Sequence, residues 1–368
     1  MRIGVSQVLV GTEERSLLER VLSSGHLVQG AMVAEFETGF AKLAGAQHAV
    51  ATSSGTTALQ LALEVAGVGP GDEVVTSPFT FVATLNAILG RGAVARLVDI
   101  DPQTFNVRPE QVAEAVNSRT KALMPVHLYG LAADMTSLLP IARERSLRLV
   151  EDAAQAHCAT DGDYPVGTAD LGCFSLYATK NLAAGEGGVV TAADPGDADL
   201  LQVLRNQGMR DRYQYVAVGY NYRLTDMAAA LALGQMARLE SNMARRQQNA
   251  AYLTGHLQGL TGLTTPTVPE GSRHVWHQYT VRVGRDAPIG RAALRRFLAE
   301  REIGSAVYYP RVLPDHQVFT THPLIQVGDL TEARLAADEV LSLPVHQLLR
   351  QSDLEEIVDG VRAAFGAA

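Results

Sequence analysis

The stretch L-G-C-F-S-L-Y-A-T-K-N-L-A-A-G-E-G-G-V-V, Leu171 to Val190, decides how the rest of the chain is read. An apolar run, Leu171 to Tyr177, leads to a single lysine, Lys180. A glycine-rich turn (Gly185, Gly187, Gly188) and a second apolar run, Val189 to Ala192, follow. Period and punctuation predict strand, loop, strand, with a lone cation at the exit of the first strand. Such a lysine is ordinarily a solvated surface group. Held in a partly dry cleft, the same amine is neutral and nucleophilic toward an aldehyde. What stands at the other strand exits decides between the two.

Upstream, short apolar runs alternate with helical segments. Strands are expected at His48–Thr52, Glu73–Thr76, Val94–Val98, Ala122–Val126 and Arg148–Val150, with helices between them. That spacing implies βαβ units and a mainly parallel sheet flanked by helices, an α/β fold whose ligands sit beyond the carboxyl ends of the strands. Before the sheet, Glu13–Ser24 and a pattern through Val33, Phe36, Phe40 and Leu43 read as helices. Downstream, Thr225–His256 reads as one long helix, Thr261–Gly271 is rich in Thr, Pro and Gly, and a domain boundary is placed near 250. The chain is therefore divided into a large domain, 1–250, and a smaller C-terminal α+β domain, 251–368, with strands at His277–Val283 and Ser305–Tyr309.

At 368 residues the chain can bury two cores. A net charge of −8 argues against gripping nucleic acid or an anionic membrane by a basic face. Two cysteines, Cys158 and Cys173, lack metal-ligand spacing and read as buried free thiols. No 18-residue apolar run and no leader pattern is read, so a cytoplasmic protein is expected.

Four candidates stand at strand exits. Ser54-Gly55-Thr56 couples close backbone approach to the free N–H groups of a helix start, which suits a phosphate. Phe81 could stack on a planar ring. Asp152, after the strand ending at Val150, could face a cationic pyridinium. Ser175, five residues before Lys180, could add a phosphate hydrogen bond. Each has a plain structural reading when taken alone: a cap, a core ring, a second cap. Together, phosphate cradle, ring stacker, ring-nitrogen acid and aldehyde-capturing lysine describe one cofactor, pyridoxal 5′-phosphate. Asp99-Ile-Asp101 is read as a strand end, His274-Val-Trp-His277 as the lead-in to a strand, and Gly185-Glu-Gly-Gly as no nucleotide loop.

The chain resembles the DegT/StrS family of pyridoxal phosphate-dependent sugar aminotransferases, which have the aspartate aminotransferase fold (fold type I). The resemblance runs through Gly25–Gly30, Ser54-Gly55-Thr56, Gly69–Val74 and Thr80–Thr84. It continues through Pro125–Gly130, Glu151–Gln155, Phe174–Gly188, Gly219–Arg223 and Tyr308-Tyr309-Pro310. It implies that Lys180 binds the cofactor aldehyde covalently and that Asp152 pairs with the ring nitrogen. Phe81 would stack on the ring and Gln155 lie near its phenolic oxygen. Gly55, Thr56 and Ser175 would bind the phosphate, and Asn221 would reach the phosphate in the other subunit of a homodimer. The sequence departs from the family at Cys158, where glycine is usual, and in the wording of 309–316.

The resemblance further implies transfer of an amino group from an amino acid, usually L-glutamate, to a keto-sugar, most often nucleotide-linked, or to a keto-cyclitol. Two alternatives are an elimination or dehydration enzyme on the same fold and a non-catalytic regulatory protein. Retention of Lys180 weighs against the dehydratase variant. Retention of every site residue weighs against the regulator.

Overall fold

The apolar runs between residues 48 and 192 become neighbouring strands in the computed structural model, which describes residues 1–367. Numbered in chain order, with the two small hairpins of 160–165 and 209–215 left out, the strands are β1 (His48–Thr52), β2 (Glu73–Thr76), β3 (Val94–Leu97), β4 (Thr120–Met124), β5 (Arg148–Asp152) and β6 (Leu171–Ser175). They continue as β7 (Gly188–Ala192), β8 (Leu263–Thr264), β9 (Tyr279–Val283), β10 (Ile325–Val327) and β11 (Val340–Leu343). The helices are α1 (Thr12–Ser24), α2 (Ala31–Ala44), α3 (Gly55–Val65), α4 (Val82–Gly90), α5 (Pro109–Ala115) and α6 (Met135–Glu144). After them come α7 (Pro195–Arg205), α8 (Asp226–Met236), α9 (Leu239–Leu257), α10 (Arg291–Glu300), α11 (Thr331–Glu339) and α12 (Gln351–Ala364).

The large sheet has eight strands in the order β1-β7-β6-β5-β4-β2-β3-β10. Every pairing is parallel except the two made by β7, which runs against β1 and β6. Successive strand residues point to opposite faces, and both faces are apolar because helices cover both. On β1, Val50 joins the core under α3, α4 and α7, while Ala49 and Ala51 join the core with Phe36 and Phe40 of α2. Phe40 packs edge-on against Phe174 of β6, ring centroids 5.1 Å apart. Truncating a buried ring of this kind to alanine costs about 3–5 kcal/mol. The sheet is the mainly parallel α/β layer that the spacing predicts.

A smaller sheet, β8-β9-β11, packs with α9, α10 and α12 around Tyr279, Leu298, Leu341 and Ile357. Ile3 sits in this core, and β10 lies on the edge of the large sheet, so the chain passes between the two layers near both ends. Ala368 lies outside the described residues.

Two expectations are corrected. The helix expected over Thr225–His256 is broken between Met236 and Leu239. There the Arg238 guanidinium is drawn out to the Glu14 carboxylate of α1, and α8 lies so close to α1 that a Cβ on Gly234 would fall 2.6 Å from Glu14 Cγ. The strand expected at Ser305–Tyr309 reduces to one bridge, Ala306 with Ser342. Beyond it the Tyr308 carbonyl accepts the Tyr129 hydroxyl instead of a ladder partner, and the chain turns into a cleft.

Candidate active site

A cleft of about 720 Å³ opens along the carboxyl edge of the large sheet. Its walls are Ser54–Thr56 after β1, Thr80 and Phe81 after β2, Asp152 to Gln155 at the end of β5, and Ser175 to Lys180 after β6. His277, Gln278, Tyr308 and Tyr309 close it from the C-terminal half. The structure thus brings Gly55, Thr56, Phe81, Asp152, Gln155, Ser175 and Lys180 together around one space.

Lys180 sits on a loop that β6 and β7 hold at both ends. The Leu176 N–H donates to the Gly187 carbonyl (2.9 Å), the Ala178 N–H to Gly185 (3.0 Å), and the Lys180 N–H to Tyr177 (2.9 Å). Gly185, at φ 85°, makes the turn that lets the loop fold back. Burial pulls the Lys180 amine down to about 8, against the opposing pull of Asp152. An amine at that value is a nucleophile in an appreciable fraction at mildly alkaline pH.

Asp152 ends β5 and is buried. Burial raises its pKa, and a hydrogen bond from Thr84 at 2.7 Å is the largest influence opposing that rise. The Ala154 N–H adds a second donor at 3.2 Å. Thr84 is in turn 3.0 Å from Thr80, which stands just before α4. Phe81, the residue capping α4, presents its ring to the cleft and is 57% exposed, against 0% for its neighbour Phe79. The helix that steadies the carboxylate also carries the ring.

The phosphate candidates are set by a tight approach. Ser54 and Thr57 cap α3 reciprocally, at 3.1 Å and 3.0 Å. The N–H groups of Gly55 and Thr56, the first helical residues, have no intrahelical acceptor and open onto the cleft. A Cβ on Gly55 would stand 2.8 Å from the Ser175 Cβ, so only glycine allows α3 to begin this close to β6.

Gln155 is fixed at both ends of its amide. Its oxygen accepts the Tyr129 N–H (2.8 Å), and its nitrogen donates to the Tyr309 hydroxyl (3.3 Å). Asn221 is not in its own chain's cleft. It is exposed on the strip 219–223, which bridges to Asn206 and feeds the Tyr222 carbonyl to the Ser53 N–H (2.8 Å).

Sequence reasoning missed Thr84 and His277, while Tyr309, expected on the substrate side of the site, does line the cleft. Thr84 carried a signal, since it falls in the first turn of the helix that Phe81 caps. His277 reaches the cleft from the C-terminal half of the chain, and no spacing announces that. Cys158 adopts φ 63°, the left-handed region that favours glycine, which accounts for glycine being usual there. Burial moves its thiol up to about 11. Asp99 caps α11, accepting the Glu332 and Ala333 N–H groups at 2.8 Å each. No cluster of metal-ligating side chains occurs among the described residues, and no helix among them is long and apolar enough to cross a membrane.

The strand order, with a cleft along its carboxyl edge, is the architecture of the fold type I aminotransferases. The crystal structure of S. venezuelae DesV in complex with a ketimine intermediate superposes with a TM-score of 0.92 at 37% identity, over 97% of this chain and 95% of that one. The profile of the DegT/DnrJ/EryC1/StrS aminotransferase family matches residues 9–362, and the chain belongs to that family. Among its relatives, the GDP-perosamine synthase of Caulobacter vibrioides is 36% identical over 95% of this chain and 94% of its own. A pleiotropic regulatory protein of Geobacillus stearothermophilus is 39% identical over 94% and 92%. The protein is an aminotransferase.

Proposed function

We propose that this aminotransferase uses pyridoxal phosphate to carry an amino group from L-glutamate to a nucleotide-linked keto-sugar. The observation that carries the reading is the meeting of Lys180 and Asp152 in one cleft with the start of α3 as its floor. The residues fit the cofactor. The Gly55 approach leaves a cradle that a Cβ would fill, two helix N–H groups and the Ser175 hydroxyl suit a phosphate, and Phe81 offers a ring face. Bound there, the cofactor supplies an aldehyde that captures amines and a cationic ring that draws electrons from the substrate α-carbon.

The chain's own groups do the rest. Lys180 would hold the cofactor, and its free amine would move a proton to and from carbon. Asp152, kept oriented by Thr84 and Ala154, would face the ring nitrogen of a bound cofactor and hold its proton in place. Gln155, braced by Tyr309, orients the ring edge. Asn221 serves the phosphate of a partner subunit, so the functional unit is a homodimer. Exposed Tyr213, Tyr215, Val216 and Val218 stand just before it in sequence and support a covered face there.

The GDP-perosamine synthase relative supports a nucleotide-sugar acceptor. The regulatory relative supports a second reading, ligand binding without turnover. One assay decides: the purified protein with glutamate and a panel of nucleotide keto-sugars, followed by absorbance and mass spectrometry. Amination of one sugar without ammonia release is expected. A chromophore that does not respond to glutamate favours the regulator, and ammonia release favours elimination.

A further inference from the structure

Asp152 is held by two hydroxyls in series, and the series has a direction. A carboxylate only accepts hydrogen bonds, so the Thr84 hydroxyl spends its one proton on Asp152 Oδ2, at 2.7 Å. The Thr84 oxygen is then left as an acceptor. The Thr80 hydroxyl, 3.0 Å away, is its donor. Protons therefore point inward from Thr80 to Thr84 to Asp152.

The backbone brings the two threonines together. Thr80 stands just before α4, and Phe81 between them is extended, at φ −71° and ψ 145°, before the helix begins at Val82. Both threonines are buried, whereas the Phe81 ring turns to the cleft. The loop that carries Thr80 has little freedom. The Phe79 N–H donates to the Ser77 hydroxyl (3.1 Å), and the Leu313 N–H donates to the Pro78 carbonyl (2.9 Å). The Phe79 ring packs against Phe105 and Tyr309. Thr80 thus meets Thr84 from a fixed place on the wall of the same cleft that Asp152 lines.

A threonine in a helix has two competing side-chain wells, in one of which its hydroxyl bonds a carbonyl one turn back. In that well Thr84 would desert Asp152, leaving it the Ala154 N–H at 3.2 Å. The Thr80 hydroxyl favours the other well, where the two threonine oxygens meet. We propose that Thr80 is a positioning residue for Asp152, acting through Thr84, whose hydroxyl its donated proton holds on the carboxylate. Bonds in series also polarise one another, so the inner one is stronger for having the outer one. The service to a ring nitrogen rests on the cofactor reading above.

The test titrates Asp152 in the full-length chain stripped of cofactor. NMR of isotope-labelled aspartate carboxyls gives the midpoint, from the signal that Asp152→Asn abolishes. A donor to the charged form lowers a carboxyl's pKa, so its loss raises the midpoint. Thr84→Val should raise it by about one pH unit, and Thr80→Val by about half a unit, roughly threefold in the ionisation ratio. Thr80→Ser, which keeps the hydroxyl, should restore most of the second shift. Added to Thr84→Val, Thr80→Val should change nothing further, because the series is already cut. Lys180, His127, Tyr309 and Cys173 also bear on Asp152 and are unaltered throughout. In the loaded enzyme Thr80→Val should lower kcat about threefold at unchanged donor KM. An unchanged midpoint in folded Thr80→Val, or a shift of the same size with and without Thr84, overturns the proposal. If that chain does not fold, Thr80→Ala under the same readouts decides. Failure of the cofactor reading would look different: a chain that takes up no chromophore while the titration pattern persists.

Discussion

Asp152 is placed where charge is penalised and is kept useful by two donors, the Thr84 hydroxyl and the Ala154 N–H. Its partner in the proposed chemistry is a ring cation, and an amide of the same shape cannot hold that proton. Asp152→Asn should leave the fold and much of the cofactor binding intact and lose about 3 kcal/mol or more of transition-state stabilisation, over a hundredfold in turnover. Near-normal turnover with full cofactor occupancy, measured by absorbance, would remove the role. Phe81 makes the complementary case. Its ring is exposed to the cleft and only loosely tilted against Tyr309, 6.3 Å away, so it contributes little to the core. Phe81→Ala should therefore cost about 1–2 kcal/mol of cofactor affinity with little change in melting temperature. A variant that melts early yet binds the cofactor normally would make Phe81 a packing residue.

The element that sets the geometry is the junction of α3 with β6. Gly55→Ala would drive a Cβ to within 2.8 Å of one Ser175 atom and 3.2 Å of its Cα, backbone that cannot swing aside. The expected penalty is about 1–3 kcal/mol in stability, with a parallel loss of phosphate anchoring. Unchanged thermal and cofactor titrations would show that the junction is softer than its contacts imply. This junction was legible in the sequence because Gly55 follows the apolar run of β1 directly and Ser175 lies on the run leading to Lys180, and β1 and β2 lie where the runs do. The break between α8 and α9 was not legible. Ala237, Arg238 and Leu239 are good helix formers, and it is the distant Glu14 that draws Arg238 aside. For the same reason His277 stayed hidden: its place in the cleft is a property of convergence in space, and its local pattern reads as the lead-in to a strand.

At the scale of the molecule, one chain supplies every proposed cofactor contact except Asn221, which is exposed outside its own cleft. A homodimer of isologous symmetry would make each subunit's Asn221 serve its partner. Lys180→Ala and Asn221→Ala chains should each be severely impaired alone. Mixed and allowed to exchange subunits, they should recover activity, because one site of each mixed dimer regains both residues. No recovery, with mixed dimers demonstrated by mass, would place Asn221 in its own subunit's service. The antiparallel strand β7 has a further consequence for how this molecule moves. Because β7 returns immediately beside β6, the backbone around Lys180 is fastened at both feet and has little slack. The amine's travel between one carbon and the next is then confined to rotations about the four-carbon stem of its own side chain. Its reach is therefore set by where β6 and β7 anchor the loop, and not by any movement of the backbone.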